Sequence, residues 1–222
     1  MGTDNIFRKR QGKRRNELER RKAVKETKPL YLIVCEGKKS EPLYFEEMRN
    51  HERISTVKIR VTGECGSAPI SVVNHALELY SNLLSDGEQV EVVYCVFDRD
   101  NHESYYRALA LVSQKNKEGV PLVSIASIPC FEYWVILHYR YHRSPYERKD
   151  KSSVSADLCK EIQQYMPYKK GGKGLYESLK SKQGDALKNA KKAVEDYGAT
   201  GQENPVTYVH ELVEELIKYS SI

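Results

Sequence analysis

Apolar and polar positions fall in blocks along this chain, and the period changes from block to block. "PLYLIVC" (29–35) is an unbroken run of aliphatic, β-branched and aromatic residues, which predicts a strand buried on both faces. "SEPLYFEEMRNH" follows as a helix, with Ser40 as its N-cap and Pro42 in its first turn. "STVKIRVTG" alternates and predicts a second strand. "SAPISVVNHALELYSNLLSDG" carries apolar residues at helical spacing, with a proline near its start and Gly87 past its end. "VEVVYCVFDRD" is a third strand, nearly all apolar before its acids. "ESYYRALALVSQKNKEG" is a third helix, closed by Gly119, and "PLVSIASI" is a fourth strand.

Strands alternating with helices across short connections predict an α/β fold, a parallel four-stranded sheet flanked by helices. The pattern changes after Ile128. "FEYWVILHYRYH" reads as helical, and polar stretches with Gly171, Gly172 and Gly174 follow. A charged helix over 185–197 and a final helix from about Pro205 complete the chain. The expected organisation is a basic tail over 1–28, flexible or loosely helical, an α/β core over 29–140, and a helical C-terminal extension over 141–222 packed on that core.

Composition narrows the class. The chain has 222 residues, 40% of them hydrophobic, enough for a packed core and too many for wholesale disorder. Its apolar runs stop at about six residues, against the ~20 that span a bilayer. The N-terminus is basic without the apolar stretch of a signal peptide, so a cytoplasmic location is expected. Cys35, Cys65, Cys95, Cys130 and Cys159 form no CxxC pair, which argues against a zinc site and fits a reduced compartment. Cys35 and Cys95, inside apolar runs, read as small buried hydrophobes.

The net charge of +5 is unevenly placed. Residues 1–28 hold eleven Lys/Arg against four Asp/Glu, a balance of +7, so the remainder sums to −2. Such a tail can bind a phosphate backbone by releasing counterions, or it can simply be solvated.

The acids carry the chemistry. Parallel sheets place ligands beyond the carboxyl ends of their strands, and Glu36, Asp98 and Asp100 all fall there. Residues two apart on a strand share a side, so the D-x-D of Asp98 and Asp100 aims two carboxylates at one place. Like charges held close are costly, and a hard divalent cation such as Mg²⁺ removes that cost with oxygen ligands. Glu36 can complete the set from a neighbouring strand, and Gly37 lets a phosphate approach the backbone. The alternative for each acid is a helix cap or a solvated loop.

The other polar candidates are more ambiguous. Lys38 and Lys39 flank Gly37 where a phosphate would approach, and otherwise belong to a solvated loop. His102 follows the D-x-D and suits phosphate contact, although a surface histidine is the ordinary case. "YKKGGKG" (168–174) reads as a mobile basic loop with no obvious partner, whose Lys169, Lys170 and Lys173 either close over a nucleic-acid strand or cap the next helix. His138 reads as a core histidine. The sixteen tyrosines are scattered, which favours core and rim over a base-stacking platform. No glycine stands five residues before Gly37, so "EGKKS" is not a P-loop, and no G-x-S-x-G elbow occurs.

"LIVCEG" followed by "VVYCVFDRD" resembles a Toprim domain, the catalytic core of topoisomerases, primases and OLD-type nucleases. The RloB-like family is the closer resemblance, through "VCEGKKSEPLYF", "FDRD", "SIPCFEYWVILHY" and "NPVTYVHELVEEL", spread from Leu30 to the C-terminus. The resemblance implies a Toprim-like sheet in which Glu36, Asp98 and Asp100 bind Mg²⁺, with Mn²⁺ as a substitute; without a P-loop, no nucleotide cofactor is expected. Glu41 corresponds to a second acid after the Glu-Gly of nuclease-type relatives. Glu132, an acid in an apolar segment, either serves a second metal or holds a basic partner.

The expected activity is Mg²⁺-dependent cleavage of DNA or RNA phosphodiesters, in a setting of defence against phage. Expected partners are the nucleic acid, a separate ATPase or other defence-system subunit, and a second copy of the chain. Two other readings stand beside it. One is a Toprim module that binds nucleic acid or regulates with a partner without cutting. The other is a different phosphoryl or nucleotidyl transfer at the same acids.

Overall fold

The structure, a computed structural model, describes residues 28–55, 58–63, 66, 68–100, 102–148 and 152–220. Residues 1–27 of the expected basic tail (1–28), and Cys65, therefore lie outside the described residues. Five strands form one sheet: β1 (Leu30–Cys35), β2 (Lys58–Thr62), β3 (Val90–Asp98), β4 (Leu122–Ile128) and β5 (Val206–Thr207). Their order is β2-β1-β3-β4-β5, parallel except for the antiparallel pair β4–β5.

The α/β expectation holds, and the reason is visible in β1. All six of its residues are buried. Leu30, Leu32 and Val34 join one core cluster, while Tyr31, Ile33 and Cys35 join the other. A strand with both faces covered can spare no position for a polar residue, so its sequence reads as continuously apolar.

Helices α1 (Ser40–His51), α2 (Pro69–Ser85) and α3 (Tyr105–Lys117) connect successive strands. The path runs from β1 outward to β2, then back across to β3 on the other side of β1. Crossovers of one hand then send the helices to opposite faces. Accordingly Tyr44, Phe45 and Met48 of α1 pack with the odd face of β1, and Val72, Val73 and Ala76 of α2 with the even face. The reversal puts the carboxyl ends of β1 and β3 side by side, the crevice where open α/β sheets take ligands.

Beyond β4 come α4 (Glu132–Leu137), α5 (Val154–Ile162), α6 (Leu175–Leu179), α7 (Gln183–Thr200) and α8 (Val209–Ile217). Trp134, Leu158, Tyr176, Ala186 and Leu212 all join the α1 side of the core. No helix among the described residues is long and apolar enough to cross a membrane.

Four local expectations are corrected. The sheet has a fifth strand: the final helix begins at Val209 rather than near Pro205, because Val206 and Thr207 pair with the open edge of β4. Their contact is closed by the Ser127 and Thr207 hydroxyls, 2.9 Å apart. The helix expected over 131–142 stops at Leu137. Past it, side chains tie the segment down: the Tyr133 hydroxyl donates to the His142 carbonyl at 2.7 Å, and the Arg143 guanidinium donates to the carbonyls of Gln202 and Pro205. Ser40 is not the cap of α1 but its first residue, and its hydroxyl accepts the Gly171 N–H at 3.1 Å.

The fourth correction concerns "YKKGGKG". This loop has partners along its length. The Tyr168 hydroxyl donates to Glu132 at 3.3 Å. The N–H groups of Gly174 and Tyr176 donate to the Glu47 carboxylate at 2.6 and 3.0 Å. Gly171, at φ +71°, lies so close that an added Cβ would come within 2.8 Å of the Lys39 Cβ. A glycine is needed there for both the turn and the approach.

Candidate metal centre

The end of β1 and the end of β3 are joined through a carboxylate. Glu36 donates its own N–H to the Val96 carbonyl at 2.8 Å, continuing the ladder one residue past β1. Its side chain accepts the Asp98 N–H at 2.9 Å. The Gly37 turn that follows, at φ +71°, depends on Gly63: a Cβ on Gly63 would fall 1.8 Å from the Gly37 carbonyl oxygen.

Three further acids enter from other segments. Glu41 lies in the first turn of α1 and is buried. Glu132 opens α4 and is fully buried. Asp98, partly buried, presents a carboxylate oxygen within 4.8 Å of both the Glu132 carboxylate and the Cys130 thiol.

Asp100 is placed differently. β3 ends at Asp98, and Asp100 is exposed at φ +35° with its N–H on the Pro129 carbonyl at 3.0 Å. The strand alternation invoked for the D-x-D pair does not extend to it. Its charge nonetheless reaches Glu36, whose carboxyl it helps to raise.

Electrostatics follow from this crowding. Burial pushes the Asp98 carboxyl well above the ordinary carboxylate range, and the charges of Glu41, Glu132 and Glu36 push it further. Glu41 is raised to about 7, again by burial first, with Glu132 and Glu36 adding to it and Lys170 opposing. Burial also raises Glu36, against the pull of the Asp98 N–H, of His102 and of Lys170. The Cys130 thiol is raised by burial and by Glu132 and Asp98.

One ammonium faces these acids. Lys170 Nζ stands 3.3 Å from Glu132 and donates to the Ser155 hydroxyl at 3.0 Å. Ser155 in turn donates to the other oxygen of Glu132 at 3.2 Å. Partial burial works against the Lys170 charge, but Glu132, Cys130, Asp98 and Glu41 together hold its pKa above the usual lysine value. About half of the side chain is still exposed, so the ammonium is anchored rather than entombed.

A cavity of about 250 Å³ opens over this group, lined by Glu36, Glu41 and Asp98 with Lys38, Lys39 and Lys170. The fold thus gathers acids below a basic rim. Lys169 and Lys173 are exposed on the same loop and do not line the cavity. His102 Nε2 is 3.8 Å from Glu36 Oε1. His138 is a core residue: its Nδ1 meets the Trp134 carbonyl at 3.0 Å, and burial lowers its pKa to about 4.

The donor set suits a hard divalent cation. It is dominated by carboxylate oxygens from several segments, as Mg²⁺ or Mn²⁺ require, and a cationic group already stands at its edge in the form of Lys170. Glu36, Glu41, Asp98 and Glu132 are the residues that would hold such an ion. Sequence reasoning missed Cys130, Ser155, Tyr168 and Glu47 as members or supports of the site. Of these, Cys130 lay inside "SIPCFEYWVILHY" and Tyr168 inside "YKKGGKG", and no local signal marks Ser155 or Glu47.

Fold and site together define a class: a mixed α/β protein with an acidic crevice at the carboxyl ends of adjacent parallel strands. Residues 31–216 match the family model described as RloB-like protein. The chain belongs to the RloB-like family. No match was found among curated proteins or among solved structures.

Proposed function

We propose that this chain is a metal-dependent nuclease that hydrolyses phosphodiesters in nucleic acid through a Toprim-like site, with Mg²⁺ or Mn²⁺ as the cofactor. The observation that carries the reading is the mutual crowding of Asp98, Glu41, Glu132 and Glu36 at the switch between β1 and β3. Burial and mutual repulsion raise Asp98, Glu41 and Glu36 together, so their ionisation calls for compensating positive charges. Lys170 supplies one, and a divalent cation would supply more.

When bound, such an ion would activate water and stabilise the leaving oxygen of a phosphodiester. The chain's own groups do the rest. Glu36, Glu41, Asp98 and Glu132 would hold the cation, and Asp100 would add a solvent-side carboxylate. A carboxylate of this group left uncoordinated would be the one to take a proton from the attacking water. Lys38, Lys39 and Lys170, which line the cavity, would hold the substrate's phosphate, and His102, beside Glu36, would meet the next one. Lys169 and Lys173 extend the positive rim along the strand. A role in defence against phage, with an ATPase or other subunit as partner, belongs to the same proposal and rests on the family resemblance.

The test is cleavage of labelled DNA and of tRNA in Mg²⁺ or Mn²⁺ by wild type, Asp98→Ala and Glu36→Ala, with folding checked by circular dichroism. Cutting by wild type that disappears in both folded variants supports the reading. Tight binding without cutting, indifferent to both substitutions, would leave a binding module instead.

A further inference from the structure

Lys170 is not a loose surface lysine. Its loop is pinned on both sides of it: the Tyr168 hydroxyl donates to Glu132 at 3.3 Å, and the Gly171 N–H donates to the Ser40 hydroxyl at 3.1 Å. Between those two anchors the ammonium stands 3.3 Å from Glu132 Oε1 and donates to the Ser155 hydroxyl at 3.0 Å. Its charge is felt across the whole group, because it works against the burial that raises Glu36, Glu41 and Asp98.

Glu132 differs from the other three acids in what surrounds it. Its carboxylate is fully buried, and both oxygens are engaged, Oε1 by Tyr168 and Lys170 and Oε2 by Ser155. The cavity over the site is lined by Glu36, Glu41 and Asp98, and Glu132 does not line it. Lys170 belongs to both surroundings: it lines the cavity and contacts Glu132. An ion entering by that cavity meets three carboxylates directly, and the fourth already has a cation.

Two-metal phosphodiesterases hold their ions about 3.5–4 Å apart. Here one of the two positive charges is covalently part of the chain. An ammonium is a compact point charge with three donors, enough to serve a carboxylate and a hydroxyl together. A second divalent ion against Glu132 would have to displace that ammonium or be repelled by it at short range.

We propose that the Lys170 ammonium takes the place of a second metal ion in this centre, so that the chain holds a single divalent cation on Glu36, Glu41 and Asp98, with Glu132 shared between that cation and the lysine. This rests on the metal-centre reading above and adds the ion count to it.

The experiment counts Mn²⁺ on the full chain without nucleic acid, by calorimetric titration and by electron paramagnetic resonance. It compares wild type, Lys170→Met, Lys170→Arg and Asp98→Ala, with circular dichroism confirming each fold, and Lys170→Gln replaces Lys170→Met if the latter does not fold. Wild type should take up one ion with the spectrum of an isolated Mn²⁺. Lys170→Met should gain a second ion, with exchange coupling between the two, and Lys170→Arg should stay at one. Asp98→Ala should lose the uptake, which separates this centre from scattered surface acids. A coupled pair of ions in wild type overturns the assignment. So does a folded Lys170→Met that still binds one ion, and so does a wild type that binds none. A wild type that binds one ion, gains a second in Lys170→Met and cuts neither DNA nor tRNA would sink the nuclease reading and leave the ion count standing. A wild type that cuts with a coupled pair would do the reverse.

Discussion

The Lys170 ammonium lies 3.3 Å from the fully buried Glu132 carboxylate, joining the loop before α6 to the first turn of α4. This contact satisfies a charge that has no access to water. It also brings a cation from a distant part of the chain to the carboxyl ends of β1 and β3. Three consequences for stability and one for dynamics can be measured.

Removing the ammonium leaves Glu132 buried and poorly compensated. Fully buried pairs lose about 3–5 kcal/mol when one partner is removed. Lys170 is half exposed, so a smaller loss is expected for Lys170→Met, about 1–3 kcal/mol in urea unfolding. The double variant with Glu132→Gln should recover most of that loss, because the orphaned charge is gone. A double-mutant cycle with no coupling would contradict the pairing.

The stability of the metal-free protein should fall as pH rises through the range where Glu41 titrates. Its folded pKa is raised from the ordinary 4.5 to about 7. Between those values the unfolded chain gives up the proton and the folded chain keeps it. The unfolded state therefore binds fewer protons, and unfolding becomes easier with rising pH. Asp98, raised in the same direction, adds to the trend. Glu41→Gln should flatten the slope between about pH 4.5 and 7, and saturating Mg²⁺ should reverse it by favouring the ionised acids. Urea midpoints across that range, with and without Mg²⁺, give the answer.

Gly63→Ala should destabilise the fold well beyond an ordinary helix or loop substitution. Its Cβ would sit 1.8 Å from the Gly37 carbonyl oxygen and 2.8 Å from Pro42 Cγ. Backbone at that distance must move, and overpacking of this kind costs about 1–3 kcal/mol or more. Because Gly37 borders Glu36, the melt should be accompanied by weaker Mg²⁺ binding in calorimetry.

Glu47→Gln should loosen the loop over 168–176 without unfolding the core. The carboxylate accepts two N–H groups at the entry to α6, and a neutral amide accepts more weakly. Faster amide hydrogen exchange confined to Gly174 and Tyr176, with β1 and β3 unchanged, is the expected pattern. Unchanged exchange at those two amides would show that the loop is held by other contacts.

Much of the fold was legible in the sequence. β1 and the 93–97 stretch of β3 announce themselves because burial on both faces excludes polar residues there, and α2 and α3 because their apolar residues recur at helical spacing. What misled was local pattern without knowledge of neighbours. The apolar stretch after Phe131 reads as a long helix, yet it stops at Leu137, and the Tyr133 hydroxyl and the Arg143 guanidinium tie the segment beyond it to the His142 and Pro205 carbonyls. "VTYVHELVEEL" reads as helix from its start, yet its first residues find the unpaired edge of β4. Ser40 has the chemistry of a cap, yet its hydroxyl is taken by Gly171.

The candidate site divides in the same way. The sequence by itself determined that Glu36 and Asp98 stand at strand ends, because an apolar run that stops on an acid marks the point where the chain leaves the core. Only the tertiary structure decided that β1 and β3 are neighbours, that Asp100 lies past the end of the strand, and that Glu41, Cys130, Glu132 and Lys170 converge on Asp98. Periodicity records which face of an element is buried. It carries no record of which distant segment covers that face, and the charge balance of the site depends on those long-range partners.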